Sequence, residues 1–472
     1  MARPDGTVAY IVRVGSLQNR TGPAAVSLFS GAGGLDIAAH SAGFATVAAV
    51  ESVERYAQTL SDNAALASLR PREFDAWFDA QVPFMGRQTL EQLKLTRDRL
   101  RPAAGKANGM EHCKVLAADI KEVSTSDLLE SIDMSAGDLD LLIGGPPCQS
   151  FSMSGQRKSI SDLRGQLFLQ FARFVEDLRP RWFLFENVKG MTHSSAMVVR
   201  AKCARCGPFM PRHGQVLLDP QAVAMACPAC GSMSAVTSRK SDRKGALEVI
   251  VNELSFLGYA CHVAVLNAAD FGVPQTRERV FIVGSRDNEP FQMPSATHAV
   301  SKETSIQAGL WAVDDLPRAR TVWDALFSSP NPNHAPQIDP DRAVLWVKNV
   351  VRPHAEPVTW DLRRPSPTVG SHQAAKLAIA PDGVPEEQIY RQQWHTKGRR
   401  QGDTPPVAVN HTYLADSDLL KLQTFPDSWH VAGTRMERAF QIGNAVPPQL
   451  GAAVLQRIGA SPAAARPIKV AG

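Results

Sequence analysis

The sequence predicts an α/β protein built on a doubly wound, Rossmann-like sheet. Three features predict it: near-continuous apolar runs of strand length, a glycine or acidic residue closing each run, and helix-like stretches between them. Runs of this kind suit a parallel sheet covered on both faces. With 472 residues, 44% of them apolar and 21% charged, the chain can bury a large core and carry elaborations on it.

The first run, "AAVSLFSG" (24–31), leads into "SLFSGAGGLD" (27–36), which follows a strand and opens a helix. Glycines 31, 33 and 34 let the backbone turn tightly and approach a ligand. Taken alone, the loop also fits an ordinary strand-to-helix turn. The second run, "FATVAAVES" (44–52), ends at Glu51, 20 residues beyond Gly31, where a carboxylate can accept from both hydroxyls of a ribose. The third, "CKVLAADI" (113–120), ends at Asp119, placed to accept from an adenine amino group. Strand ends of such a sheet share one rim. A loop, a Glu and an Asp on that rim describe a nucleoside site, and no Walker lysine follows the loop to favour a triphosphate.

Residues 64–112 are long for one connection; Phe74, Trp77 and Phe78 at helical spacing predict a packed helix there, as extra core or a lid. The fourth run, "LDLLIGGP" (139–146), enters "GGPPCQS". Pro146 and Pro147 fix φ and remove two donors, so Cys148 stands at a stiff corner on the rim. A lone cysteine is most often a small buried hydrophobe. This one follows a polar corner and precedes the Ser/Gly-rich "QSFSMSGQRKS", and a thiolate nucleophile needs an electrophile and an activator. "RWFLFENV" (181–188) brings Glu186 and Asn187 to the rim, where apolar surroundings can raise a carboxyl pKa and make it an acid. "YACHVAVLNAADFG" (259–272) and "RVFIVGS" (279–285) are two more strands, and Arg277 and Arg279 suit a carbonyl oxygen or a phosphate.

Cys203-x2-Cys206 and Cys227-x2-Cys230, 20 residues apart and each closed by glycine, have zinc-ribbon spacing. Redox pairs are the other reading of the two motifs. Four protein ligands make a closed, structural site. The remaining Cys113 and Cys261 lie in strand patterns and read as core. The insertion 198–245 holds eight Lys/Arg and two Asp/Glu, against a net charge of +5 for the whole chain. It is a candidate polyanion surface, with Arg239, Lys240, Arg243 and Lys244 facing phosphates; a protein–protein role is the competing reading. From 286 to 410 the strand–helix rhythm fails and Pro, His and Trp become frequent, which predicts a smaller, loop-rich domain. Its first part, 286–362, is slightly acidic, with seven Lys/Arg against ten Asp/Glu; "RQQWHTKGRRQ" (391–401) is the better nucleic-acid face. Residues 411–460 return to helical patterning. The first residues lack a signal-peptide core and no run reaches the roughly 18 apolar residues of a membrane span, so a cytoplasmic protein without membrane contact is expected.

The order GxGG loop, "GGPPCQSFS", "ENV", "QTRERVFIVG", "RRPSPTV" and "QIGNAVPPQL" resembles the S-adenosylmethionine-dependent cytosine-5 methyltransferases of DNA. The resemblance covers roughly 24–60, 113–190, 248–285 and 360–460. It implies a catalytic domain over 24–285, a target-recognition domain over 286–410 and a returning segment over 411–460. It implies that Cys148 adds to C6 of a flipped cytosine in double-stranded DNA, that Glu186 holds or protonates N3, and that Arg279 contacts O2 with support from Arg277. Residues 150–165, with Arg157 and Lys158, resemble the loop that closes over the substrate. S-Adenosylmethionine, released as S-adenosylhomocysteine, would meet Phe29, Gly31, Gly33, Glu51, Asp119 with Ile120, Pro147, Leu167, Asn444 and Val446. The ribbon, with its structural zinc, departs from the minimal family pattern. The branch that methylates tRNA shares very similar motifs, and the recognition region and the ribbon favour DNA. A microbial modification or defence setting is expected, near the nucleoid; a restriction or defence partner is not identified by any residue.

Overall fold

The computed structural model describes residues 22–86, 88–147, 167–213, 216, 221–242, 244–299, 316–328, 338–339, 341–347, 359–370, 374–383 and 411–459. Strands β1 (Ala24–Leu28), β2 (Ala45–Glu51), β3 (Lys114–Ala117), β4 (Leu141–Gly144) and β5 (Trp182–Val188) follow the first five apolar runs. They pair in parallel in the order β3-β2-β1-β4-β5. Helices α1 (Gly34–Ser41), α2 (Glu54–Ser68), α3 (Phe74–Gln81), α4 (Leu90–Leu100), α5 (Thr125–Ser131) and α6 (Leu167–Leu178) connect them.

Alternation along each strand supplies both faces of the sheet with apolar side chains. Val26, Leu28, Phe183 and Phe185 meet α5, α6 and a helix over Gly245–Phe256 on one face. Ala25, Ile143 and Leu184 meet α1 and a helix over Pro448–Gly459 on the other. At about 25 cal/mol per Å² of apolar surface, this double burial is the main stabilising term of the frame.

The ribbon's four strands, β6 (Ala196–Cys203), β7 (Gly207–Phe209), β8 (Ala224–Ala226) and β9 (Met233–Asp242), form a separate antiparallel sheet in the order β7-β6-β9-β8. Its two ends meet at its base, where Ala246 N–H donates to Ser194 C=O at 3.2 Å. The last two runs of the main sheet, β10 (Ala260–Asn267) and β11 (Glu278–Ser285), join it antiparallel, with β11 between β5 and β10. The parallel pattern therefore stops at β5. Only ten residues separate β10 from β11, too few for a helical crossover, which needs a dozen or more.

Within 64–112, the predicted helix is α3. Phe74 and Phe78 are buried with Leu66, Met85, Leu100 and Ala104 in a small core of their own, while Trp77 packs on its edge. A third sheet, β12 (Val344–Val347), β13 (Thr359–Asp361), β14 (Leu377–Ala380) and β15 (Thr412–Tyr413), is antiparallel in the order β13-β12-β14-β15. Its last strand lies beyond residue 410, so the small sheet extends into the segment assigned to the return. Leu345, Leu377 and Ile379 share one apolar cluster with Leu60 of α2 and with Leu419, Phe425 and Trp429. No described helix is long and apolar enough to cross a membrane.

Candidate active site

One end of the rim is built from left-handed backbone. Phe29 (φ 54°), Gly31 (φ 57°) and Gly33 (φ 85°) all lie in the region that favours glycine, and Gly33 caps α1. Phe29 packs half-buried on the core that lies under β1. Glu51, at the end of β2, fixes the turn: its Oε2 accepts from Gly31 N–H at 2.8 Å and its Oε1 from Val53 N–H at 2.9 Å. Burial raises the Glu51 pKa, and the N–H groups of Val53, Gly31 and Ser52 pull it back. A carboxylate offers about four lone-pair sites, so acceptor capacity remains for a ligand.

Asp119 stands exposed two residues past β3, with Oδ1 accepting from Lys121 N–H at 3.0 Å. Ile120 beside it is buried at 3% exposure. Pro147 is exposed at the β4 corner and Leu167 is half-buried at the head of α6. The C-terminal segment closes this end. A helix over Arg435–Asn444 ends at Asn444, and a Cβ on Gly34 would lie 2.2 Å from Val446 C=O, so only glycine admits that approach.

The second half of the rim holds Glu186. Asn187 Nδ2 donates to Pro146 C=O at 3.3 Å, which ties the proline corner to β5. A Cβ on Gly145 would lie 2.7 Å from Glu186 Oε2, so the corner closes directly over that carboxyl. Arg279 Nε lies 3.0 Å from Glu186 Oε1, and both side chains are nearly buried. Burial pushes the Glu186 pKa up, and the charges of Arg279 and Arg277 oppose it. Cys148 and the loop residues Arg157 and Lys158 lie outside the described residues.

Arg277 is placed differently from its expected role. It is 1% exposed, and its guanidinium donates to Gly443 C=O at 2.9 Å, Val369 C=O at 3.1 Å and Asn444 C=O at 3.2 Å. It satisfies carbonyls at the C-terminal end of the Arg435–Asn444 helix, where a cation also complements the helix dipole. The geometry therefore gives Arg277 to the return of the C-terminal segment, with its charge felt by Glu186.

Sequence reading passed over three residues here. The Tyr56 hydroxyl partners Asn444 beside Glu51. Trp429 donates from Nε1 to Ala32 C=O at 2.9 Å. Asp36 is fully buried in α1; burial raises its pKa to about 6, and the Ser27 hydroxyl, its own N–H and the Thr46 hydroxyl offset part of that. Its folded pKa exceeds the unfolded one, so the wild type gains stability as pH falls from about 6 towards 4. Asp36→Asn is expected to flatten that part of a pH–denaturation profile and to raise stability at pH 8; a profile unchanged by the substitution would refute the assignment.

In the ribbon, the sulfurs of Cys203, Cys206, Cys227 and Cys230 all lie within 4.8 Å of one another. Cys203 Sγ and Cys230 Sγ are 3.6 Å apart. The N–H groups of Arg205 and then Cys206 point at Cys203 Sγ and draw its thiol down to about 6. Four converging sulfurs with backbone donors on one of them match the donor chemistry of a tetrathiolate metal site. Of the basic residues assigned to phosphates, Arg239 donates to Ala222 C=O at 2.7 Å, Lys240 lies 3.8 Å from Asp242, Lys244 is exposed, and Arg243 lies outside the described residues.

The sheet carries Glu51 and the Glu186–Arg279 pair at the ends of its strands, on the rim where such sheets place their ligands. The family model for C-5 cytosine-specific DNA methylases matches residues 96–203 and 237–460, and the interruption falls on the ribbon. The type II methyltransferase M.AquIA of Picosynechococcus sp. is 32% identical over 336 residues, covering 69% of this chain and 95% of that protein. M.SacI of Streptomyces achromogenes is 25% identical over 373 residues, covering 74% and 78%. Among solved structures, the S. pombe Dnmt2 methyltransferase aligns over 93% of this chain and 98% of its own, with 13% identity and a TM-score of 0.47. The chain belongs to the C-5 cytosine-specific DNA methylase family, and it is a DNA cytosine-5 methyltransferase that uses S-adenosylmethionine.

Proposed function

We propose that the described rim is the methyl-transfer site, with Cys148 as nucleophile, Glu186 as acid and Arg279 as the cation that steadies both Glu186 and the cytosine O2. The observation that carries this reading is the Glu186–Arg279 pair beneath the Gly145–Pro147 corner, one residue before the thiol. Addition of the Cys148 thiolate to C6 turns the ring into an enamine, which makes C5 nucleophilic. Glu186 hydrogen-bonds or protonates N3 and so takes up the charge that the thiolate brings. S-Adenosylmethionine, when bound, supplies the electrophilic methyl group. Removal of the C5 proton then expels the thiol and restores aromaticity.

The cofactor residues are Gly31 and Gly33 for close backbone approach, Glu51 for the ribose, Asp119 for the adenine amino group, and Phe29, Ile120, Pro147, Leu167, Asn444 and Val446 around them. Glu51 and Asp119 each keep acceptor capacity after their backbone contacts, which supports the fit. Cytosine must leave the duplex, because C6 is inaccessible in the stack. The relatives named type II methyltransferases support a place in restriction–modification.

Bisulfite sequencing of DNA from cells expressing wild type and Cys148→Ser tests the reading. Methylation at one short motif, lost in the variant, is expected. Unmethylated DNA with methylated tRNA in the wild type would overturn it.

The four cysteines hold a structural zinc ion in this reading, with Cys203, Cys206, Cys227 and Cys230 as the full ligand set. Metal analysis of purified protein is expected to give one zinc per chain, and Cys227→Ser with Cys230→Ser to abolish it. A metal-free wild type carrying four free thiols would refute the site.

A further inference from the structure

The helical insertion and Trp429 are both unassigned by the methyl-transfer reading, and the structure links them. The Gly31–Ala32–Gly33 turn has left-handed glycines on both sides of Ala32. Glycine is freer than other residues, so beyond the Glu51 bond to Gly31 N–H the orientation of the Ala32–Gly33 peptide gains from a further restraint. The Trp429 indole supplies one. Its N–H holds Ala32 C=O at 2.9 Å, and its ring lies so close that a Cβ on Gly33 would meet Cζ2 at 2.7 Å.

Trp429 is itself held from the insertion. Arg99 of α4 donates to Trp429 C=O at 2.9 Å and also to Asp427 C=O. The next residues are tied to α2: His430 N–H donates to Asn63 Oδ1 at 3.0 Å, Asn63 Nδ2 returns to His430 C=O at 2.8 Å, and Ala432 N–H donates to Thr59 Oγ1 at 2.9 Å. Elsewhere α4 and the 416–422 helix stand apart around a cavity of about 380 Å³ lined by Arg99, Leu95, Leu420 and Lys421. Polar contacts on backbone carbonyls, with an edge contact of Trp77 of the insertion on His430, thus connect the insertion to the segment that holds the turn.

We propose that Trp429 is a positioning residue for the cofactor turn and that Arg99 of the helical insertion keeps it in place, so that the insertion sets the affinity for S-adenosylmethionine. This rests on the reading that the Gly31–Gly33 turn binds that cofactor. Trp429→Phe keeps an aromatic ring but removes the N–H and the benzo edge that lies against Gly33; Arg99→Met removes the hold on the Trp429 carbonyl; Arg99→Lys restores one donor. S-Adenosylhomocysteine binding by calorimetry is expected to weaken about ten-fold in Trp429→Phe and Arg99→Met, equivalent to about 1.4 kcal/mol, with partial rescue in Arg99→Lys. KM for S-adenosylmethionine is expected to rise in step, while kcat at saturating cofactor stays within about two-fold. In cofactor-free protein, hydrogen exchange at residues 30–34 is expected to quicken in the same two variants. A wild type that fails to bind S-adenosylhomocysteine would overturn the cofactor reading itself. Wild-type binding with unchanged affinity and exchange in folded variants would overturn the positioning role alone.

Discussion

Glu186→Gln is expected to lower the rate of methyl transfer at saturating DNA and cofactor by about 10²–10⁴-fold, the usual range for a positioned general acid. The substitution keeps the shape of the side chain and a hydrogen bond to N3, so binding of S-adenosylhomocysteine should be nearly unchanged. Burial raises the Glu186 pKa, with Arg279 and Arg277 opposing, so the protonated acid persists to higher pH than in an exposed glutamate. The wild-type rate should therefore fall as pH rises through that raised value. Glu186→Gln should lose this limb of the profile, as steady-state kinetics across pH would show. A variant with wild-type kcat would remove Glu186 from the chemistry.

Arg277→Met is expected to destabilise the protein by about 3–5 kcal/mol, read from urea denaturation, and to abolish cofactor binding with it. Three carbonyls from two distant segments, Val369 and Gly443–Asn444, lose their donor at once, inside a site that is 1% exposed. Methionine fills the volume, so the loss reports the unpaired carbonyls rather than a cavity. Arg277→Lys, which retains the charge but not the planar fork, should recover only part of the stability. A wild-type denaturation midpoint for Arg277→Met would contradict the role.

The frame of this molecule is legible in its sequence because buried strands must be apolar on both faces. "LDLLIGGP" and "RWFLFENV" contain β4 and β5, and the residues that end them stand at the rim. Strand direction is not written in composition. The antiparallel β10–β11 pair could have been found only by counting the ten residues between the strands. Glu51 and Glu186 were legible as acidic ends of apolar runs. Arg277 and Arg279 were read together as cations of one stretch, "QTRERVFIVG". Arg277 lies one residue before β11 begins, and its guanidinium reaches the C-terminal segment. Trp429 and Arg99 carry no local signal at all. Their partners are 397 and 330 residues away in the chain, and only the folded structure brings them together.

That distance has a consequence for the time course of synthesis. Helix α1 packs against the helix over Pro448–Gly459, and Val446 closes over Gly34. A ribosome working from the N-terminus at about 5–20 residues per second makes the cofactor turn at once, yet completes its cover only some 20–80 s later. Throughout that interval Leu35 and Ala38, which face Gly451 of the terminal helix, lack that part of their cover. The nascent chain therefore leaves this part of α1 uncovered through most of its translation. Premature termination or a stall beyond residue 285, with the main sheet already complete, should leave a product that is bound by chaperones and unable to retain the cofactor.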